Sequence, residues 1–141
     1  MVLLHISLLL LLGMAAGRNN LGAPQDISKN NPHLLKALNV ATEFFNNMSN
    51  DAFLFKTSNI QKAQQQIVRG ITYLVDLGFS RTVCHKRDKK DLANCDFQPK
   101  GRLHQTVRCH CAVWRIPWMK VMKMVQLRCS TSSDVPDATK T

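Results

Sequence analysis

The sequence is poor in aromatic residues, glycine and proline. Aromatic residues make up 6% of its 141 positions, and there are only 6 glycines and 5 prolines. So little glycine and proline excludes collagen-like and low-complexity chains. The sequence also lacks a P-loop and a GxGxxG stretch, which excludes the common nucleotide-binding loops. No internal repeat appears at a period of roughly 20 to 50 residues, so a repeat architecture is excluded as well.

Acidic side chains are also scarce. There are 9 of them against 19 lysines and arginines, which gives a net charge of +10 and a pI near 9.8. The excess is spread evenly, with +3 before residue 84, +4 between 85 and 108 and +3 after. An even spread indicates a solvated basic surface rather than a nucleic-acid patch. A cationic binding or antimicrobial protein stays open as an alternative function.

Long hydrophobic runs are limited to the first segment. The apolar block at residues 3–12 is roughly half the length of about 20 residues that a membrane-spanning helix needs. Ala15 and Gly17 follow it and fit the small-residue positions of a signal-peptidase site. We therefore predict a cleaved signal peptide at 1–17 and a secreted protein without membrane insertion, with an endolysosomal location as an alternative. An uncleaved anchor or a buried helix is the other interpretation of the segment.

The remaining chain, with 45% apolar residues overall, is long enough for one domain with a core. We assign that domain to residues 18–130 and predict a disordered tail rich in Ser, Thr and Asp at 131–141. Asn31 can cap a helix that begins at Pro32. Apolar residues then recur at helical spacing, at Leu34, Leu38, Ala41 and Phe45, and Leu35 widens the stripe. The pattern predicts a helix over 32–46.

Extended segments follow the helix. The segment from Gln61 to Gln66 suits a helix by propensity and a strand by context. Period-2 alternation then predicts a strand, through Ile71, Tyr73, Val75, Leu77 and Phe79. Gly70 suits the turn before that strand, and Gly78 suggests a bulge. A run over 103–115 is ended by Pro117, and a last strand alternates through Val121, Lys123, Val125, Leu127 and Cys129. One helix followed by about four antiparallel strands is an α+β fold.

All five cysteines lie in the second half of the chain. Disulfides suit a secreted protein, but spacing alone leaves 15 ways to form two bridges. A metal site built from Cys84-His85 with Cys109-His110-Cys111 is one alternative, although the knuckle spacing of zinc sites is missing. A thiol enzyme, in which Cys109 or Cys111 acts with His104 or His110, is another.

Three short motifs occur in order along the chain. They are Leu21-Gly22 before Ala23-Pro24, then Gln66-Ile67-Val68-Arg69-Gly70, and finally Pro117-Trp118. Together these motifs resemble those of type-2 cystatins, the family of secreted inhibitors of papain-like cysteine proteases. The resemblance covers about residues 20–130, and the segment at 45–56 is most similar to the cystatin F branch of that family.

The resemblance implies a five-stranded antiparallel sheet wrapped around one long helix, with the arm at 20–28 adding a short first strand. It implies the disulfides Cys84–Cys95 and Cys109–Cys129, which leaves Cys111 as a buried, inert thiol. It also implies a protein that needs no cofactor. The extra N-terminal and helix-end cysteines of cystatin F are missing here, and Met48 stands at the second position, so we predict a monomer.

The resemblance further implies reversible, competitive inhibition of cathepsin-type proteases. The arm at Leu21 and Gly22 and the turns at 66–70 and 117–118 would fill the protease cleft on both sides of its thiolate. In this interpretation Val68 and Trp118 supply apolar contact, and Gly70 permits a tight turn. The simpler interpretations are an ordinary strand residue at Val68 and a core-capping residue at Trp118.

Two more features lie just after the predicted helix. Asn47-Met48-Ser49 is an N-glycosylation sequon, which predicts a glycan on Asn47. Ser49-Asn50-Asp51 matches the segment through which some type-2 cystatins inhibit legumain, so the resemblance implies a legumain-binding role for Asn50. The alternative is a simple turn asparagine, and a glycan on Asn47 would lie close enough to hinder the contact.

Overall fold

The computed structural model describes residues 22–130, so the predicted signal peptide, Leu21 and the predicted tail lie outside the described residues. The fold is a five-stranded antiparallel sheet in which the strands follow chain order, packed on one helix. The elements are β1 Gln25–Asp26, α1 Pro32–Met48, β2 Phe53–Ile67, β3 Ile71–His85, β4 Thr106–Ile116 and β5 Val121–Ser130. The predicted α+β class and the short first strand are confirmed. Within residues 22–130 no helix is long and apolar enough to span a membrane.

The start of α1 is capped as predicted. The side-chain oxygen of Asn31 accepts hydrogen bonds from the backbone N–H groups of His33 and Leu34, at 2.9 and 3.3 Å. The predicted end at residue 46 is two residues too early, because the helix continues to Met48. Asn46 favours turns by propensity, but here its amide pairs with both backbone groups of Phe55 on β2, each at 2.9 Å. This tertiary contact keeps the last turn helical.

The core lies between one face of α1 and the inner face of the sheet. Leu34, Leu38 and Ala41 are buried there, and Phe45 stacks on Phe79 with ring centroids 4.6 Å apart. The alternating residues of β3 pack against them as predicted, with the four from Tyr73 to Phe79 buried. Leu35 does not join this face, since 45% of it is exposed.

Strands β2 and β3 form a long hairpin of 15 residues each. The ambiguous segment from Gln61 to Gln66 is strand. Its residues Lys62 to Gln66 pair in register with Asp76 to Thr72 of β3, and Gln61 is the extra residue at a register shift. The bulge predicted at Gly78 belongs to the partner strand: the register shifts between Thr57 and Asn59, and Asn59 lies opposite Gly78. A Cβ on Gly78 would collide with the Asn59 side chain, so glycine accommodates the extra residue of β2.

The predicted alternation of β5 is right only beyond Val125. The residues that pack against the core are Met122, Met124 and Leu127, so the odd-numbered series faces the core at Leu127 but not at Val121, Lys123 or Val125. A register shift between Ala112 and Val113 of β4 leaves Val125 as an extra residue, and 61% of Val125 is exposed. A bulge of this kind reverses the faces of a strand partway along it.

The connection between β3 and β4 contains two short 3-10 turns, Lys86–Asp88 and Leu92–Asn94. The third extended run therefore begins at Thr106 and not at residue 103. The disulfides Cys84–Cys95 and Cys109–Cys129 are present as the resemblance implies. The first ties the end of β3 to this connection, and the second joins β4 to β5.

Cys111 is the one unpaired cysteine, and all five lie among the described residues. Burial raises the pKa of its thiol to about 12, and the negative charge of Asp76 contributes in the same direction. This is the opposite of what a thiolate nucleophile needs. Because Cys84 and Cys109 are held in disulfides, the thiol-enzyme and metal alternatives lose their candidate residues.

Candidate functional site

The first turn of the site, residues 67–70, joins β2 to β3. Its base is the Ile67–Ile71 pair, and the N–H of Val68 donates to the carbonyl oxygen of Gly70 at 3.1 Å. Arg69 and Gly70 both have positive φ, at 51° and 112°. This geometry turns the chain tightly and leaves 54% of the apolar Val68 exposed.

Gly70 is buried against the neighbouring strand β4. A Cβ at this position would lie 2.7 Å from the carbonyl oxygen of Arg115 and 2.8 Å from the indole nitrogen of Trp114. That indole nitrogen instead donates a hydrogen bond to the carbonyl oxygen of Arg69 at 3.1 Å. Glycine is therefore required both by its φ and by the close approach of β4.

The second turn joins β4 to β5 through the 3-10 segment Pro117–Met119. Proline begins it, and the N–H of Lys120 donates to the Pro117 carbonyl oxygen at 3.3 Å. Trp118 is 71% exposed, so the core-capping interpretation of its side chain is wrong. Because Ile71 pairs with Arg115, the start of β3 adjoins the end of β4, and both turns lie at the same end of the sheet.

The arm reaches the same end from the other side. Gln25 pairs with Gln65, and toward its N-terminus the arm runs alongside β2 to the first turn. The side-chain amide of Gln66 donates to the carbonyl oxygen of Gly22 at 2.6 Å. A Cβ on Gly22 would lie 3.2 Å from a methyl carbon of Val68, so the arm touches the first turn. The predicted residue Leu21 lies outside the described residues.

Three separate sequence motifs thus form one edge, which we call the wedge: Gly22, residues 66–70 and residues 117–118. Its exposed side chains include the apolar Ile67, Val68 and Trp118 together with Arg69. Its backbone is held by turn geometry and by hydrogen bonds from Gln66 and Trp114. A rigid apolar edge with an exposed tryptophan has the character of a protein-binding hot spot. The arrangement offers binding surface and no pair of groups suited to acid–base or nucleophilic chemistry.

A second exposed feature lies at the opposite end of β2, about 50 Å along a strand of this length. Here Asn50 is exposed in the loop at 49–52, between α1 and β2. The hydroxyl of Ser49 accepts a hydrogen bond from the Asp51 N–H at 3.1 Å, and Asp51 accepts one from the Phe53 N–H at 2.9 Å. The loop is therefore an ordered turn that presents Asn50 outward.

The carboxylate of Asp51 is paired with the guanidinium of Arg81 on β3. Burial works to raise the pKa of Asp51, but the hydrogen bonds from Arg81 and the Phe53 N–H and the positive charges of Arg81 and Lys86 together hold it below its ordinary value. Asp51 is thus a charged, fixed neighbour of Asn50.

Two residues that support these sites have no motif in the sequence. Trp114 sits on a strand four residues before Trp118 and supports the first turn. Arg81 follows the alternating part of β3 and anchors the loop at 49–52. Only their spatial neighbours reveal these roles.

The fold and the wedge define a small disulfide-bonded α+β protein that offers a preformed edge to a partner. A family model described as the cystatin domain matches residues 22–118, which is more than half of the chain. The chain belongs to the cystatin family, a family of cysteine protease inhibitors.

Cystatin-F of Mus musculus is 43% identical over 108 residues, covering 77% of this chain and 75% of that protein. Cystatin-F of Homo sapiens is 42% identical, with coverage of 77% and 74%. The crystal structure of dimeric human cystatin F superimposes with a TM-score of 0.74 at 39% identity, covering 83% of this chain and 93% of that one. A salivary cystatin of the soft tick Ornithodoros moubata, at 19% identity and a TM-score of 0.62, shares the fold.

Proposed function

We propose that this chain is a reversible, competitive inhibitor of papain-like cysteine proteases of the cathepsin type. The observation that carries the proposal is the exposure of Val68 and Trp118 at adjacent turns, with Gly22 in contact with the first of them. In a narrow cleft with a thiolate at its base, such an edge can fill the space on both sides of the thiolate.

The wedge would inhibit by occupying the cleft without offering a bond for cleavage. Trp118 and Val68 would lose water-exposed apolar surface to the cleft, which favours binding at low cost in side-chain entropy. Leu21 would enter a substrate pocket of the enzyme. Gly22 has a φ of 91°, which bends the arm and would carry its backbone out of line with the thiolate. Ile67, Arg69 and Pro117 would complete the contact surface.

The test is a titration of papain and cathepsin L with the mature protein. We expect reversible inhibition in the nanomolar class. Trp118→Ala should raise the inhibition constant by roughly 30- to 800-fold, which corresponds to about 2–4 kcal/mol for a hot-spot residue. Its fold should be unchanged because the side chain is exposed.

The matched control is Leu103→Ala, which removes an apolar side chain that is 50% exposed at the other end of the sheet. This variant should inhibit as the wild type does. The proposal fails if the wild-type protein inhibits neither enzyme, or if both variants lose the same amount of affinity.

A second function, inhibition of legumain through Asn50, is supported by the ordered loop that exposes this side chain. An asparagine-specific protease needs an accessible asparagine in an extended or turn segment. The distance of about 50 Å along β2 would allow both enzymes to bind one inhibitor molecule.

Asn50→Ala should abolish legumain inhibition and leave papain inhibition intact. Asn47→Gln is the control, since it removes a nearby exposed asparagine and the predicted glycan together. Equal loss of both inhibitory activities in Asn50→Ala would contradict separate sites.

We further propose a secreted, glycosylated monomer, with an endolysosomal location as an alternative. Asn47 is exposed at the end of α1, which suits glycosylation. Four cysteines form disulfides within the chain and Cys111 is buried, so the cysteines favour a monomer. The alternative function as a cationic binding protein would be favoured by salt-sensitive binding to anionic vesicles without inhibition of either enzyme.

A further inference from the structure

The loop that presents Asn50 is held by Arg81 on β3 and by Lys86, the first residue after β3. Lys86 contributes two contacts: its backbone N–H donates to the Ala52 carbonyl oxygen at 2.9 Å, and its ammonium group donates to the carbonyl oxygen of Ser49. Arg81 holds the carboxylate of Asp51. The residues on both sides of Asn50 are therefore anchored to the sheet while Asn50 itself is exposed.

The guanidinium of Arg81 is fixed independently of the loop it holds. It donates to the carbonyl oxygen of Leu103 at 2.7 Å and to the side-chain oxygen of Gln105 at 2.8 Å. It also lies over the ring of Phe55, 5.5 Å from the centroid. Because Asp51 meets an already ordered donor, little side-chain entropy remains to be lost when the ion pair forms.

We propose that Arg81 and Lys86 are positioning residues that preform the Asn50 loop for an asparagine-specific protease. The inference rests on the proposed legumain site. It adds that affinity depends on holding Ser49 and Asp51 in place before the enzyme arrives. A loop that is ordered in the free protein loses less conformational entropy on binding. If the enzyme cuts such a loop, the two new chain ends also stay close together.

The same anchors would oppose conversion of the inhibitor into a substrate. Hydrolysis of the Asn50–Asp51 bond adds water across it and leaves a carboxylate on Asn50 and an amine on Asp51. With Ser49 bound by Lys86 and Asp51 bound by Arg81, the new ends would stay beside each other in the enzyme site. A chain without these anchors would release the new ends from the enzyme site, and the cleaved inhibitor would accumulate.

The experiment compares Arg81→Gln, Arg81→Lys and Lys86→Ala with the wild type. Arg87→Ala is the matched control, since it removes an adjacent exposed cation that forms no hydrogen bond or ion pair with the loop. For each protein we would measure inhibition of legumain, inhibition of papain, the melting temperature and the fraction cut at Asn50–Asp51 by mass spectrometry. Amide hydrogen exchange at Asp51 and Phe53 reports the order of the loop in the free protein.

We expect Arg81→Gln to weaken legumain inhibition about tenfold, to speed exchange at both amides and to increase cutting, with papain inhibition unchanged. Arg81→Lys should recover part of the loss, because it keeps the charge but not the fork of donors. Lys86→Ala should also weaken legumain inhibition, speed exchange at both amides and increase cutting. It provides the test of the positioning role if Arg81→Gln does not fold.

Two outcomes separate the inference from the function on which it rests. If Asn50→Ala abolishes legumain inhibition while Arg81→Gln and Lys86→Ala inhibit as the wild type does, the positioning role is overturned and the site stands. If the wild type does not inhibit legumain although exchange at Asp51 responds to Arg81→Gln, the site itself is overturned and the anchors are only structural. Parallel loss of papain inhibition in the variants would also overturn the positioning role.

Discussion

The indole N–H of Trp114 donates a hydrogen bond to the backbone carbonyl oxygen of Arg69, across 3.1 Å. Trp114 lies on β4, and Arg69 lies in the turn between β2 and β3. Arg69 has a positive φ of 51°, a conformation that costs a residue with a side chain about 1–2 kcal/mol. The bond from Trp114 offsets part of this cost and holds the first turn of the wedge against the strand that leads to the second.

Trp114→Phe should therefore weaken inhibition without removing any residue of the wedge. An aromatic ring is kept, although a smaller one, while the N–H donor is lost, so the expected cost is about 1 kcal/mol, or about fivefold in the inhibition constant. Papain titration measures this change, and Leu103→Ala, which alters an exposed apolar side chain away from the wedge, is the control. An unchanged constant in Trp114→Phe would show that the first turn needs no support from β4.

Gly70→Ala should impair both stability and inhibition. The new Cβ would collide with the Arg115 carbonyl oxygen and the Trp114 indole at a position whose φ also disfavours alanine. Gly101→Ala separates the strain of a positive φ from the steric collision. Gly101 has a φ of 146° but nothing within 4 Å of its Cβ position. We expect the Gly70 variant to lose about 2 kcal/mol more in urea unfolding than the Gly101 variant. Equal losses would mean that the approach of β4 is not a constraint.

The sequence allowed the turns of the wedge to be predicted because their chemistry is local. A glycine at a tight reversal and a proline at the end of a strand predict turns from neighbouring residues alone. The contact between Trp114 and Arg69 could not be predicted in this way, because it joins residues 45 positions apart through the register of three strands.

The errors at α1 and β5 have the same physical origin. Asn46 was expected to end the helix, but its hydrogen bonds to Phe55 depend on a strand nine residues later. The faces of β5 were expected to alternate without interruption, but the bulge at Val125 exchanges them partway. Lys123 within the supposed inner face was the one local sign that the predicted phase was wrong.

Cys111 should be unreactive in the folded protein. Its thiol is buried and its pKa is raised to about 12, so almost none of it is thiolate at neutral pH. We expect iodoacetamide to modify it only at the rate of unfolding, or when urea is added. Mass spectrometry of the native and unfolded protein measures this, with both disulfides kept oxidised. Rapid modification of the native protein would contradict the placement of Cys111 in the core.

Asp51 should make the stability of the fold depend on acid. The pKa of its carboxyl is lower in the folded protein than the ordinary value of 3.8. A group with a lowered folded pKa contributes stability that is fully present above its unfolded pKa and is lost as the pH falls through the folded value. Wild type should therefore lose stability below about pH 4.

Asp51→Asn should be less stable than wild type at pH 7, by about 1–3 kcal/mol, because a charged partner of Arg81 is removed. The gap between the two should narrow as the pH falls, since protonation of the wild-type carboxyl removes the same charge. Urea unfolding at pH 7, 5 and 3 measures this difference in stability. Asp88→Asn, at an exposed position after β3, is the control, and its difference in stability from wild type should stay constant over the three pH values. A constant gap between wild type and Asp51→Asn at all three pH values would show that the ion pair with Arg81 does not stabilise the loop through its charge.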